Sequence, residues 1–298
     1  MEPVTRTPQE AYDAGRIAPT SDVDADISEA MRSYLMQDLG IAPDRAESRA
    51  REEVLRKIPR SVAEALSNIG VKFSGKSVLD LGAGLGGMSE ELLLRGAEVT
   101  ALEPGEAWAC LTERRLQRHQ RPVTVLRSVG ENIPLAAESV DLVISLQVLE
   151  HVSQPSKVLA EAHRVLRPGG CFYLACENYL AFREAHYQVP WFPLLPKSVG
   201  SVYLRALGRS PLFLQQAVTY TTYPGVLRAA RQAGFIRLRD EQLARSLKEK
   251  GGGKWQALRA FDRLAGGGGK GLCFLDRAAN AFRFGIYEIF RKPNPSEG

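Results

Sequence analysis

Between Gly75 and Asn178 short apolar runs alternate with amphipathic stretches of helical period. Ser77–Leu81, Glu98–Leu102, Val123–Arg127, Val140–Leu146 and Cys171–Cys176 carry the strand pattern, with helices near 86–95, 105–119 and 155–166 between them. Strands that alternate with helices pair in parallel through right-handed crossovers, which predicts a doubly wound sheet of the α/β class. A helix near 223–233 ending at Gly234, a strand over Phe235–Arg239 and a final strand over Phe284–Phe290 extend it to a mostly parallel seven-stranded sheet.

The flanks break this rhythm. Residues 1–25 mix Pro, Thr, Asp and Ala without period and read as a mobile arm. Asp26-Ile27-Ser28-Glu29 has the spacing of a capping box, which predicts a helix over about 28–39 with Met31, Tyr34, Leu35 and Leu39 on one face. After Ile41-Ala42-Pro43-Asp44 a charged helix runs to Asn68, bent at Pro59. Past Asn178 the chain turns rich in aromatics and prolines. The organisation predicted is an arm at 1–25, a helical extension at 26–70, a ligand-binding core at 71–178, a lid insertion after the fifth strand at 179–222, and the rest of the sheet at 223–298. Two glycine runs, Gly251–Gly253 and Gly266–Gly269, flank a short helical stretch with Trp255, Leu258 and Phe261 and read as loops.

Composition narrows the class. At 298 residues, 44% hydrophobic and 24% charged, the chain can bury a full core. The apolar run Val140–Leu149 is cut by Asp141, Ser145 and Gln147, far short of the roughly 20 residues of a membrane helix, so no integral membrane contact is expected. The N-terminus shows no secretory pattern, and a cytoplasmic setting is the expectation. Four cysteines form no CxxC pair and four histidines no HExxH, so no metal site is expected. The net charge of +5 is spread too thinly to predict nucleic acid. A small-molecule acceptor, apolar or anionic, fits better, and the N-terminal helices are expected to serve the lid or contacts within a homo-oligomer.

Val78-Leu79-Asp80-Leu81-Gly82-Ala83-Gly84-Leu85-Gly86-Gly87 is a buried strand entering a glycine-rich turn and a helix. Such a turn lets a ligand touch backbone, and the helix start offers free amides. Glu103, ending the second strand 21 residues beyond Gly82, can accept the hydroxyls of an adenosine ribose. These features indicate an adenosyl cofactor without separating a nicotinamide dinucleotide from S-adenosylmethionine.

Four further segments follow in order: Glu131-Asn132-Ile133-Pro134-Leu135, Ser139–Ser145, Val148-Leu149-Glu150-His151-Val152 and Arg164–Gly170. The series resembles the class I S-adenosylmethionine-dependent methyltransferases of small molecules and lipids, over about residues 75–178. The resemblance implies a Rossmann-like methyltransferase fold and S-adenosylmethionine as cofactor. It implies that Asp80, Gly82, Ala83 and Gly84 cradle the methionine and ribose, that Glu103 holds the ribose hydroxyls, and that Leu102 and Pro104 flank the adenine. It further implies that Ser145, Leu146 and Gln147 line the sulfonium region, with Glu150 and His151 at the rim. Many relatives carry an Asp where this chain has Val129, followed by Gly130 and Glu131, so the usual adenine contact must be replaced.

Acceptor chemistry needs a group that can take a proton near the carboxyl ends of the strands. His151, Glu177 and His186 are the catalytic candidates, and Tyr187, Trp191, Tyr203, Tyr220 and Tyr223, with Phe192 and Phe213, are the rings expected to line an apolar pocket. Arg183, Arg205 and Arg209 could meet an anionic group, whereas His119 and His163 are expected to be scaffold. The competing readings are a nicotinamide-dependent oxidoreductase and a non-catalytic module of the same fold. The first lacks a Tyr-x-x-x-Lys pair anywhere in the chain.

Overall fold

The computed structural model describes residues 22–240, 242, 262 and 270–297. Residues 1–21 of the arm expected over 1–25, both glycine runs and the stretch with Trp255, Leu258 and Phe261 lie outside the described residues, whereas Val23–Ala25 of that arm are helical. The sheet contains β1 (Ser77–Leu81), β2 (Glu98–Leu102), β3 (Thr124–Leu126), β4 (Val140–Leu146), β5 (Leu166–Glu177), β8 (Ile236–Arg237) and β9 (Gly285–Arg291) in the order β3-β2-β1-β4-β5-β9-β8. All pairs from β3 to β5 are parallel, and β9 runs antiparallel to both its neighbours. The predicted seven-stranded α/β fold is the fold observed. A two-stranded hairpin, β6 (Arg183–Glu184) with β7 (Val189–Pro190), stands apart.

Order reverses between β1 and β4, and the carboxyl ends of these strands leave a crevice where ligands of such sheets bind. One face of the sheet buries Leu79, Leu81, Val143, Phe172 and Leu174 against α6 (Pro155–Val165) and α9 (Tyr223–Gln232). The other buries Val78, Val99, Leu142 and Ile144 against α3 (Lys57–Asn68) and α4 (Gly87–Leu94). Strands covered on both faces are continuously apolar, which is why the runs stand out in the sequence.

The N-terminal extension differs from its prediction in two places. The helix α1 spans Val23–Ser33 and is capped by the Asp22 side chain, which accepts from the Asp24 and Ala25 amides. Asp26 is therefore inside the helix, buried, and paired with Arg114 at 2.6 Å. The predicted bend at Pro59 falls earlier: α2 (Pro43–Val54) and α3 are divided at Arg56, whose φ is +52°, and Pro59 sits harmlessly in the first turn of α3. A buried Glu90 of α4 fixes this region, accepting from Arg56, from Arg115 and His119 at the end of α5 (Glu106–Gln117), and from Arg118. His119 is thus scaffold. His163 is too, its ring edge-on to Phe235 at 5.0 Å.

Residues 179–222 carry α7 (Lys197–Ala206) and α8 (Leu212–Gln216) and a core of their own. Tyr179, Tyr187, Trp191, Leu204, Phe213 and Leu214 pack there with Leu35 and Leu39 from the first helical segment. Among the described residues no helix is long and apolar enough to cross a membrane.

Candidate active site

The turn after β1 bends back on β2: the amides of Gly82 and Ala83 both donate to the Leu102 carbonyl, at 2.8 and 3.0 Å. Gly82 has φ of +77°, and a Cβ there would stand 2.3 Å from Val148. Gly84 has φ of +56° and lies beneath the Trp108 ring. A side chain at Gly82 would clash, and one at Gly84 would be strained by its positive φ. Glu103, only 5% exposed, accepts from the Gly84 amide and the Gly105 amide, both at 2.9 Å, so its carboxylate joins the tips of β1 and β2. Pro104 is half-buried beside it. Asp80 is sealed below the turn, accepting from Ser89 Oγ at 2.6 Å, and burial pushes its pKa up to about 6. Its place is under the cradle, not in it.

At the tip of β4, Ser145 is fully buried and its hydroxyl has no partner. Leu146 is half-buried, and Gln147 is exposed with φ of +56°, its amide donating to the Ala175 carbonyl. Gly130 is buried against Leu81 and Val158 while Val129 is exposed. Glu131, expected near the adenine, instead has Oε1 engaged by the Ser153 amide and hydroxyl and the Gln154 amide. It caps the start of α6, because those amides have no helical partner.

The three proton-acceptor candidates converge although 35 residues separate the first from the last. The His151 and His186 rings lie 5.1 Å apart, and Phe213 packs against both at 5.6 and 5.1 Å. His151 Nδ1 lies 2.7 Å from the Ala217 carbonyl and His186 Nδ1 3.0 Å from Glu184 Oε1. Those partners only accept, so each ring donates from Nδ1 and keeps Nε2 for the cleft. Glu150, beside them, is fully buried with neither carboxylate oxygen hydrogen-bonded; burial pushes its pKa up to about 8. Glu177, 9% exposed at the end of β5, is raised to about 7 for the same reason. His151 remains open to solvent, yet the protein around it and the neighbouring His186 hold its pKa below the usual range. His186 is drawn the other way: burial opposes its charge, but Glu184, Glu150 and Glu177 outweigh that and raise it.

The predicted pocket rings are mostly the lid's own core. Tyr187 is completely buried, its hydroxyl donating to the Ser210 carbonyl at 2.7 Å and accepting from the Leu214 amide. Trp191 is buried against Tyr203 and Gly200, and Tyr220 stacks on Tyr179 at 4.4 Å while donating to the Leu195 carbonyl. Tyr223 is elsewhere altogether. Its hydroxyl donates to Glu288 at 2.9 Å within a buried network with Arg237 and Asp276 at the antiparallel end of the sheet. Phe192 is exposed, as are Arg183 and Arg205; Arg183 lies over Phe284 instead of facing the cleft.

The rings that do join the turn to the histidines are Trp108, Tyr34 and Phe213, in edge or tilted contacts of 5.8 and 6.0 Å. Trp108 had a readable signal, in the first turn of the helix that follows Glu103. Tyr34 and Glu184 had none, since only the tertiary fold brings them here.

A family model described as a methyltransferase domain matches residues 79–174, β1 through most of β5. Residues 79–174 are a class I S-adenosylmethionine-dependent methyltransferase domain. A ubiquinone biosynthesis O-methyltransferase of Pseudomonas putida is 37% identical over 113 residues, covering 36% of this chain and 47% of that protein. One from Azotobacter vinelandii is 40% identical over 111 residues, again 36% and 47%. The chain thus spans about half the length of the curated relatives it matches. A candidate sarcosine dimethylglycine methyltransferase structure from Galdieria sulphuraria superposes with a TM-score of 0.52 at 20% identity, covering 82% of this chain and 88% of that one. The cradle suits the domain's cofactor: a glycine turn with positive φ at Gly82 and Gly84, a carboxylate at its mouth and a buried Ser145 hydroxyl without a partner are groups that suit such a ligand.

Proposed function

We propose that this chain is an S-adenosylmethionine-dependent methyltransferase acting on a hydroxyl of a small, largely apolar acceptor. The observation that carries the reading is that the glycine turn with Glu103 and the cluster of Glu150, His151, Glu177 and His186 lie together at the carboxyl ends of the central strands. Bound S-adenosylmethionine supplies an activated methyl group whose sulfur leaves without protonation.

The residues of the chain do the rest. Gly82, Ala83 and Gly84 admit the ligand against backbone, Glu103 accepts from ribose hydroxyls, and Ser145 and Gln147 face its amino-acid end. Trp108, Tyr34 and Phe213 wall the crevice and exclude water; α1 and residues 179–222 act together as its cover. Glu177, a carboxylate at the tip of β5, takes the acceptor's proton. Holding acceptor and donor in line contributes about 7–11 kcal/mol toward the barrier, the largest single effect such a site can supply. That the matched relatives are named O-methyltransferases supports oxygen as the nucleophile.

The test is formation of S-adenosylhomocysteine by the purified full chain on a panel of hydroxylated aromatics and matched amines, with products identified by mass. O-methylated product is expected. Absence of S-adenosylmethionine binding at millimolar concentration, or methylation of amines alone, overturns the proposal.

A further inference from the structure

Glu150 is fully buried in the cleft, and neither of its carboxyl oxygens has a hydrogen-bond partner. A buried carboxyl whose oxygens meet no hydrogen-bond donor costs free energy even when neutral, and native structures retain such groups where something else completes them. One candidate ligand atom from each of Glu150, His151 and His186 lies within 4.8 Å of the other two. Donors that share one ion at about 2.0–2.2 Å must themselves sit within roughly 4.4 Å of each other, so only a small adjustment closes the site.

The histidines are prepared in the same sense. The Ala217 carbonyl and Glu184 Oε1 each accept from Nδ1, so an ion would bind Nε2 of each ring, displacing any proton it carries. A carbonyl or carboxylate behind an imidazole is the support that metal-bound histidines use. Glu184 is itself locked, 1% exposed, accepting from the Tyr187 amide at 2.6 Å and from the Tyr179 hydroxyl at 3.3 Å. Sequence spacing hides all of this, because the second histidine arrives from the lid.

We propose that Glu150, His151 and His186 bind one divalent transition-metal ion, with Glu184 positioning His186. Two imidazoles and a carboxylate suit zinc, manganese, cobalt or iron(II), while magnesium and calcium favour oxygen ligands throughout. Three protein ligands leave coordination positions open. On the function proposed above, an acceptor hydroxyl oxygen occupies one of them, and its proton passes to Glu177. Coordination eases that loss because a bound cation stabilises the oxyanion that remains.

The experiment uses the full chain, stripped with chelator and titrated with cobalt(II) without S-adenosylmethionine, read by visible absorption and by metal content. One cobalt per chain with d–d bands is expected. Glu150→Gln and His186→Ala are each expected to weaken binding at least tenfold, and Glu184→Gln by about ten- to a hundredfold. Glu150→Gln replaces a carboxyl by its isosteric amide and should leave the Tm of the metal-free chain close to wild type, so lost binding cannot be lost folding. No stoichiometric cobalt, or binding indifferent to Glu150→Gln and His186→Ala, overturns the metal site. A chain that binds cobalt but methylates nothing keeps this inference and removes the functional reading. One that methylates fully after chelation with no ion bound does the reverse.

Discussion

The Glu103 carboxylate accepts from the Gly84 amide across 2.9 Å, so the residue that ends the second strand also holds the turn that ends the first. Its second oxygen is tied to Gly105, which fixes the rotamer before any ligand arrives. Glu103→Ala therefore removes both a binding group and the brace of the turn. Hydrogen bonds to charged groups contribute about 1.5–3 kcal/mol, so affinity for S-adenosylmethionine should fall roughly 10- to 100-fold by calorimetry. Unchanged affinity would show that the ribose lies elsewhere.

Gly84→Val should abolish cofactor binding, and the structure gives the reason. At φ of +56° a β-branched residue is strained, and its Cβ would press on Trp108 at 3.4 Å. Gly82→Ala is worse for folding, with Val148 at 2.3 Å, and is expected to cost about 1–3 kcal/mol. Urea unfolding beside ligand titration separates the effects: Gly84→Val should shift affinity far more than the unfolding midpoint.

Stability in acid should depend on Glu90. Its pKa is lowered to about 2 from 4.5, since His119, Arg115 and Arg56 outweigh the burial that opposes its charge. A depressed folded value means the contribution is complete above about pH 4.5 and disappears as pH falls toward 2. At about 1.4 kcal/mol per pKa unit it is on the order of 3 kcal/mol. Glu90→Gln should flatten the stability profile between pH 4.5 and 2 while lowering stability at pH 7 by about 3–5 kcal/mol, because Arg115 is left buried and uncompensated. Denaturant unfolding across pH 2–7 reads both, and an unaltered acid slope would contradict the assignment.

Glu177→Gln should lower kcat by about 10²- to 10⁴-fold, the range a positioned proton acceptor supplies, and leave the cofactor Kd within twofold. A kcat within a factor of three of wild type would assign the proton to another group.

Tyr223→Phe should leave acceptor KM unchanged and cost about 1 kcal/mol through the lost bond to Glu288, whereas Phe213→Ala should raise KM. The reverse pattern would return Tyr223 to the pocket.

The sheet was legible because strands buried on both faces write themselves as unbroken apolar runs: β1, β2 and β4 have the ends read from the sequence. The glycine turn and Glu103 were legible because chemistry at a strand tip is local in sequence. The acceptor side was less so. His151, Glu177 and His186 could be named as candidates, but their meeting depends on how residues 179–222 fold back, and no period records that. The aromatic lid misled for a related reason. Tyrosine is equally at home facing a ligand or bracing a loop, and the hydroxyls of Tyr187, Tyr220 and Tyr223 are all spent on the protein itself. Asp22 in place of Asp26 as the cap, and Arg56 in place of Pro59 as the break, are choices made by tertiary ion pairs that outweigh local propensity.

Tyr34 touches both Trp108 and Phe213, while Asp26 grips Arg114 on the helix that carries Trp108. The opening helix is thus a keystone laid across two halves of an arch. A shortened chain beginning at the first core strand would lose this span together with α3, which covers one face of the sheet, and its crevice would stand open to bulk water. Any trimmed version made for crystallisation or screening should start no later than Asp22, and a ligand that misses the trimmed protein says little about the whole one.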